Sequence, residues 1–137
     1  MAVIDAQEQI LGRLCTHVAK RLLSGEEITI VNAEKARISG NRAQIVAHYK
    51  QRWARGKNFS GPKYPRAPDM ILKRSIRGML DYRKSSGKQA LKRLKVYVGV
   101  PAELKNIKVE DSGGAKRPPA RSIYLSEVSR ELGSGRL

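Results

Sequence analysis

Gly56 and Gly61 stand at the glycine spacing of a phosphate-cradling P-loop, and the chemistry that spacing would bring is nucleotide hydrolysis. The rest of the pattern excludes it. Pro62 occupies the position of the lysine, Lys63 comes one residue late, and Tyr64 offers no Ser/Thr hydroxyl to Mg²⁺. Metal chemistry fares no better. Cys15 and His17 are separated by one residue, the only other histidine is His48, and no Cys-x-x-Cys or His-x₃-His spacing accompanies them. A nuclease working through two metal ions needs clustered carboxylates, yet Asp69 and Asp81 are the only acids between Lys35 and Lys95. No G-x-S-x-G or paired-carboxylate arrangement appears. Cys15 lies on an apolar stripe and reads as a packing residue, and His48, between Ala47 and Tyr49, reads as a helix-surface imidazole. The expectation is a protein with no catalytic residue, no metal and no cofactor.

Charge points to a different chemistry. The 137 residues carry 28 Lys and Arg against 12 Asp and Glu, a net of +16. From Lys35 to Lys95 there are 18 basic residues and two acids, so this middle stretch holds the whole excess, while the rest has ten of each sign. A basic middle on a neutral frame is the pattern of a polyanion-binding face. Its densest part, residues 52–80, runs from a helix end through a Gly/Pro-punctuated loop into a second helix bearing Lys73, Arg74 and Arg77. Trp53, Phe59 and Tyr64 are interleaved with the cations, which suits a phosphate backbone with some unstacked bases. Trp53 and Tyr49 continue a helical apolar face and read first as core. Phe59 and Tyr64 are the better candidates for base stacking, with packing beneath the loop the equal alternative.

The positioning elements follow from periodicity. Ala2–Asp5 reads as a buried strand, and Leu11, Leu14, Cys15, Val18, Ala19 and Leu22 form one apolar stripe of a helix stopped at Gly25. Ile28–Val31 is a β-branched run of the kind found in buried parallel strands. Asn41 with Gln44 begins a second helix, its apolar face being Ile45, Val46, Tyr49 and Trp53. Pro68-Asp69 begins a third, with Leu72, Ile76, Met79 and Leu80 on one side. Residues 86–94 read as a short basic helix, 95–98 as a strand, 111–121 as a mobile polar loop and 123–125 as a last strand. Ser126 is expected to cap a small helix ending at Gly133. The 40% hydrophobic content supports a folded core, and with no repeat or low-complexity tract the expectation is one domain over 1–137 with its basic middle at 35–95. No apolar run approaches the roughly 20 residues of a membrane span, and the N-terminus lacks a signal-peptide pattern.

Several ordered motifs then carry a resemblance: Ile4-Asp5-Ala6, Leu11-Gly12-Arg13-Leu14, Ala19-Lys20, Val31-Asn32-Ala33-Glu34-Lys35, Ser39-Gly40-Asn41, Arg66-Ala67-Pro68, Arg77-Gly78-Met79-Leu80 and Arg93-Leu94-Lys95-Val96-Tyr97. Over residues 3–101 the chain resembles the large-subunit ribosomal protein thirteen family, its archaeal and eukaryotic members more than its bacterial ones. The resemblance implies an α/β fold with three α/β/α layers on a small, mostly parallel four-stranded sheet carrying a basic loop-helix insertion. It also implies a non-catalytic, cytoplasmic, ribosome-bound protein that binds large-subunit ribosomal RNA early in assembly, beside neighbouring subunit proteins, with no membrane or small-molecule partner. The chain departs from the family at Asp81-Tyr82, where Pro usually follows Gly-Met-Leu, so the turn loses a rigid residue and the basic face gains an acid.

The residues expected to meet RNA are Lys35, Arg37, Arg42, Lys50, Arg52, Arg55, Lys57, Lys63, Arg66, Lys73, Arg74 and Arg77. They would neutralise phosphates and read little base sequence, since A-form RNA offers shape and sugar-phosphate contacts more readily than base edges. Residues 55–68 offer little to bury and are expected to be mobile without RNA. Two rival readings are an RNA-processing enzyme holding substrate on the same face, which lacks a catalytic cluster, and a DNA-binding regulator, which lacks a helix-turn-helix.

Overall fold

The computed structural model describes residues 1–55, 63–112 and 119–135. Strand β1 (Ala2–Asp5), helix α1 (Leu11–Leu23) and strand β2 (Ile28–Val31) form a parallel crossover in which Ala2 faces Ile28 and Asp5 faces Val31. All six residues of the α1 stripe are buried. The helix stops in a Schellman arrangement: Glu26 N–H bonds the Arg21 carbonyl, Gly25 N–H bonds that of Leu22, and Gly25 takes φ +100°. After β2 come a 3-10 turn (Ala33–Lys35), β3 (Arg37–Ser39) and helices α2 (Arg42–Ala54), α3 (Pro68–Met79) and α4 (Ser85–Lys92). The chain then returns as β4 (Leu94–Val96), parallel to β2.

To reach the far edge the chain crosses the sheet through a second 3-10 turn (Ala102–Leu104) and adds β5 (Val109–Glu110) parallel to β1, giving the order β4-β2-β1-β5. Strand β6 (Ser122–Tyr124) pairs antiparallel with β3 in a separate two-stranded sheet and leads into α5 (Leu125–Glu131). The four-stranded parallel sheet stands as expected, but its fourth strand is Val109–Glu110 and not the segment near residue 123. Two residues with Val and Glu side chains carry too little pattern to announce a strand. The helical layers are unequal. Ile4, Ile28, Ile30 and Leu94 join α1, α3, α4 and α5 in the main core, whereas Val3 and Val31 meet Leu104 of the crossing turn in a smaller one.

Other boundaries shift for identifiable reasons. Strand β4 starts at Leu94, because Leu94 is buried opposite Ile28. On α3, Ile71 is buried with Leu72 and Ile76, while Met79 is 45% exposed because it sits on the last turn against Thr16 at the helix edge. Helix α5 begins at Leu125, with no side-chain cap from Ser126. The buried Leu125 side chain and its N–H bond to the Ala36 carbonyl (2.8 Å) set that boundary, and Gly133 ends the helix region at φ +84°. The 111–121 segment is held at both described ends, by the buried Ser112 hydroxyl donating to Gln9 Oε1 and by Gly40 N–H donating to the Arg121 carbonyl; residues 113–118 lie outside the described residues.

In open parallel sheets ligands settle beyond the carboxyl ends of the strands. Here polar groups at those strand ends are paired within the chain. Asn32, in the left-handed region at φ 55°, donates from its side chain to Asp5 Oδ1 (3.0 Å), and Glu34 Oε2 accepts from Gly99 N–H (2.9 Å).

The turn after α3, Asp81-Tyr82, has no proline and is fixed by other means. Tyr82 N–H bonds the Leu80 carbonyl, Lys84 N–H bonds that of Asp81, and the Arg77 guanidinium lies 4.2 Å from the Tyr82 ring centre. Helix α4 approaches this turn so closely that a Cβ on Gly87 would lie 1.9 Å from the Asp81 oxygen. Gly87→Ala, which would favour an isolated helix, is therefore expected to destabilise the protein by about 1–3 kcal/mol through overpacking. Urea unfolding checks this, and an unchanged or higher midpoint would contradict the close approach.

Burial pushes the Cys15 thiol from an ordinary 9.0 up to about 12. Burial, with a smaller contribution from the neighbouring Tyr64, pushes the Tyr49 phenol from 10.0 up to about 12. An unfolded chain releases both protons near pH 9–10 while the native chain keeps them to about 12, so their contribution is complete below about pH 9 and is lost as the pH rises toward 12. The urea midpoint should fall between about pH 8 and about pH 10.5, and Cys15→Ala should fall less. Equal declines would mean that the thiol is not kept neutral by the fold.

Candidate nucleic-acid interface

The cations of residues 52–80 are brought together by aromatic side chains, each of which has a packing reason to be where it is. Tyr49 is buried on the inner face of α2, and Ile45, Val46 and Trp53 pack partly against the core beside it. The α2 N-terminus is capped by Asn41, whose Oδ1 accepts from Ala43 N–H at 3.0 Å. Tyr64 folds back onto Tyr49, with ring centres 6.0 Å apart, and joins the same core. The ring packs against the core, the alternative the sequence held equal to base stacking, and it also lines the groove beside α3. Phe59 lies outside the described residues.

The same rings place the charges. Arg52 lies 5.5 Å from the Tyr64 ring centre, and Lys63 and Arg66 lie 4.5 and 4.1 Å from that of Trp53. The Arg66 carbonyl accepts from the Ser129 hydroxyl at 2.7 Å, tying this segment to α5. The expectation that residues 55–68 have little to bury is thus corrected for 63–68; residues 56–62, with Lys57, lie outside the described residues. Arg55, at the α2 C-terminus, is exposed.

Helix α3 faces two ways. Ile71, Leu72 and Ile76 are buried against α1 and the sheet, while Lys73, Arg74 and Arg77 line an open groove of about 330 Å³. Lys63, Tyr64, Pro65, Met70 and Leu91 complete its lining, with no acidic residue among them. Among the described residues Lys63, Lys73, Arg74 and Arg77 form no ion pair. Met70 and Leu91 are the groove residues that sequence reading missed. Leu91 belongs to α4, and only the tertiary fold brings it to α3.

The remaining candidates sit elsewhere. Arg42 pairs with Glu127 (3.3 Å) and Glu131 (3.6 Å), and Lys50 pairs with Glu131 (3.6 Å), so these α2 cations face the acids of α5. Lys35 is exposed on the first 3-10 turn. Arg37 is enclosed: it meets Glu8 at 2.6 Å, donates to Tyr124 Oη (2.7 Å) and Ser122 Oγ (3.1 Å), and lies over the Tyr124 ring, whose hydroxyl donates to Glu8. The hydrogen bond to Tyr124, then the Glu8 charge, raises the proton affinity of its guanidinium. His48 is exposed, with its ring edge-on to Tyr49. No group of three His, Cys, Asp or Glu side chains among the described residues is placed to hold a metal ion, and no helix there is long and apolar enough to cross a membrane.

Arg37 joins the segment after β1 to the β3–β6 pair. Its replacement by methionine is expected to lower stability, since it removes the ion pair with Glu8 and the bonds to Tyr124 and Ser122 while leaving only the Tyr124 hydroxyl to donate to Glu8. Urea unfolding of Arg37→Met measures this, and an unchanged midpoint would show that the network does not hold the junction.

The groove and the paired α2–α5 face describe a basic surface on a small α/β frame, and comparison with known proteins gives it relatives. The sequence model of the family described as ribosomal protein L13 matches residues 1–103. A protein of Methanosarcina barkeri named large ribosomal subunit protein uL13 is 53% identical over 138 residues, covering 98% of this chain and 99% of that protein. Proteins of the same name from Methanocaldococcus jannaschii (49% over 139 residues, 98% of each chain) and Methanococcoides burtonii (47% over 137 residues, 98% and 99%) are similar along the same length. Similarity therefore runs through the C-terminal region, where the motifs of the sequence alone had thinned out. With three quarters of its length matched by the family and near-complete relatives at about half identity, the chain belongs to the ribosomal protein L13 family.

Proposed function

We infer that this protein is a structural, non-catalytic constituent of the large ribosomal subunit, ribosome-bound in the cytoplasm. It acts by holding large-subunit ribosomal RNA on its basic face during early assembly, beside neighbouring subunit proteins. The observation that supports the RNA-binding face best is the acid-free groove, in which four cations stand without an acidic partner of their own among the described residues. Such cations meet phosphates without first giving up an internal ion pair, and the counterions they release on binding favour association. Lys63, Arg66, Lys73, Arg74 and Arg77 form the centre of this reading, with Arg52 and Arg55 beside them; Lys57, outside the described residues, joins it by sequence alone. Arg42, Lys50 and Lys35 extend it along the frame, and Arg37 contributes at its edge.

Gradient sedimentation of native extract at low and high salt tests this reading. The protein is expected to travel with the large subunit and to leave it only under strong salt or denaturant; finding it at the top of the gradient at low salt would overturn the inference. In purified form, the triple change Lys73→Ala, Arg74→Ala and Arg77→Ala is expected to weaken binding to large-subunit RNA and reduce the slope of log affinity against log salt by about 2–3, with far-UV circular dichroism unchanged. An unchanged slope would take α3 out of the interface.

A further inference from the structure

The α3 groove is not only basic. Met70, 47% exposed, and Leu91 lie in it with Tyr64 and Pro65, so an apolar floor is ringed by Lys63, Lys73, Arg74 and Arg77. A partner that satisfies both parts must bring negative charge at its edges and a flat, weakly hydrated body between them. Duplex RNA has the charge, but its bases are stacked and paired, and its shallow groove offers hydroxyls to such a floor. An apolar peptide would cover the floor and leave four cations desolvated and unpaired. An unstacked nucleotide fits both, with the base on the apolar floor and the flanking phosphates on the rim. At about 330 Å³ the groove lies at the small end of ligand sites, roughly 300–1,000 Å³, a size for one residue and not for a helix. Arg77 is steadied on the Tyr82 ring, so part of the rim is ordered before binding.

We propose that this groove receives a single unstacked RNA nucleotide, the base packed on Met70 and Leu91 and its phosphates held by Lys63, Lys73, Arg74 and Arg77. The proposal rests on the RNA-binding reading and deepens it: α3 recognises a bulged or looped-out base within a folded RNA.

The test uses the full chain and three hairpin RNAs of one sequence: uninterrupted, with a single-nucleotide bulge, and with an abasic residue at the bulge. Affinities are measured by fluorescence anisotropy at fixed salt and as a function of salt. The bulged hairpin is expected to bind at least about fivefold more tightly than the abasic one, in line with base stacking on a protein surface. Met70→Ser, a change at an exposed position, should erase that preference while leaving the salt slope and the circular dichroism intact. Equal affinity for bulged and abasic hairpins, with a salt slope still lowered by the triple α3 variant, would overturn the nucleotide site, keep the RNA-binding reading and leave a protein side chain as the groove's occupant. Failure to bind any of the hairpins at low salt would sink both.

Discussion

The docking of α3 on α1 is the contact on which the cationic face depends. Ile71, Leu72 and Ile76 are buried on one side of α3 while Lys73, Arg74 and Arg77 stand on the other, so the helix that carries the charge is also the helix that closes the core. Burying three such side chains contributes roughly 1.5–3 kcal/mol each. That gain has to offset the mutual repulsion of a segment whose net charge equals that of the whole molecule, +16. A helix without the apolar side would have no reason to hold its cations at fixed spacing, and a helix without the basic side would be a core element and nothing more.

The aromatic side chains solve the same problem at shorter range. Cations on a loop lose conformational freedom when they are fixed, and each long side chain resists ordering by up to about 2 kcal/mol. Resting Lys63 and Arg66 near Trp53, Arg52 near Tyr64 and Arg77 near Tyr82 supplies a compensating attraction of about 0.5–1 kcal/mol at exposed sites. The Trp53 and Tyr64 rings are themselves packed against the core, so their cations inherit their geometry from packing. This explains why Tyr64, which from its sequence neighbours suits a base-stacking role, belongs to the fold: its ring is needed against Tyr49, and the cation beside it faces outward.

What the sequence made legible follows the strength of local pattern. The α1 stripe, the β-branched run of β2, the Asn41 cap and the Pro68 start of α3 are each written in contiguous residues, and each stands in the structure. Strands β3 and β5 were missed because three and two residues are too few to show a period, and both exist only through partners distant in sequence, Ser122–Tyr124 and Ala2–Asp5. The groove was half legible. Its cations and the α3 arc that bears them could be read from spacing, whereas Met70 and Leu91 became neighbours only when α4 packed beside α3 across the Gly87 approach. Arg37 was legible only as a member of a basic stretch: the acid it meets, Glu8, comes from the neutral N-terminal segment, and no local pattern reveals that pairing.

Sorting the cations by the acids they meet gives the basic face an internal order. The groove residues meet none among the described residues, the α2 residues Arg42 and Lys50 meet Glu127 and Glu131 of α5, and Arg37 is enclosed by Glu8 and Tyr124. The α2–α5 pairs are long, at 3.3–3.6 Å, and Arg42 and Lys50 are more than half exposed, so each pair is worth less than about 1 kcal/mol. A phosphate can replace Glu131 there at little cost, whereas displacing the partners of Arg37 would open the β3–β6 junction. On the proposed reading an incoming polyanion would therefore meet three kinds of cation: those without an acidic partner among the described residues, those with one weak partner to exchange, and one whose release would disturb the frame. The acids of α5 do not merely lower the net charge. They stand beside the cations of α2, so that the neutral end of the chain meets the basic middle and divides its cations, among the described residues, into paired and unpaired ones.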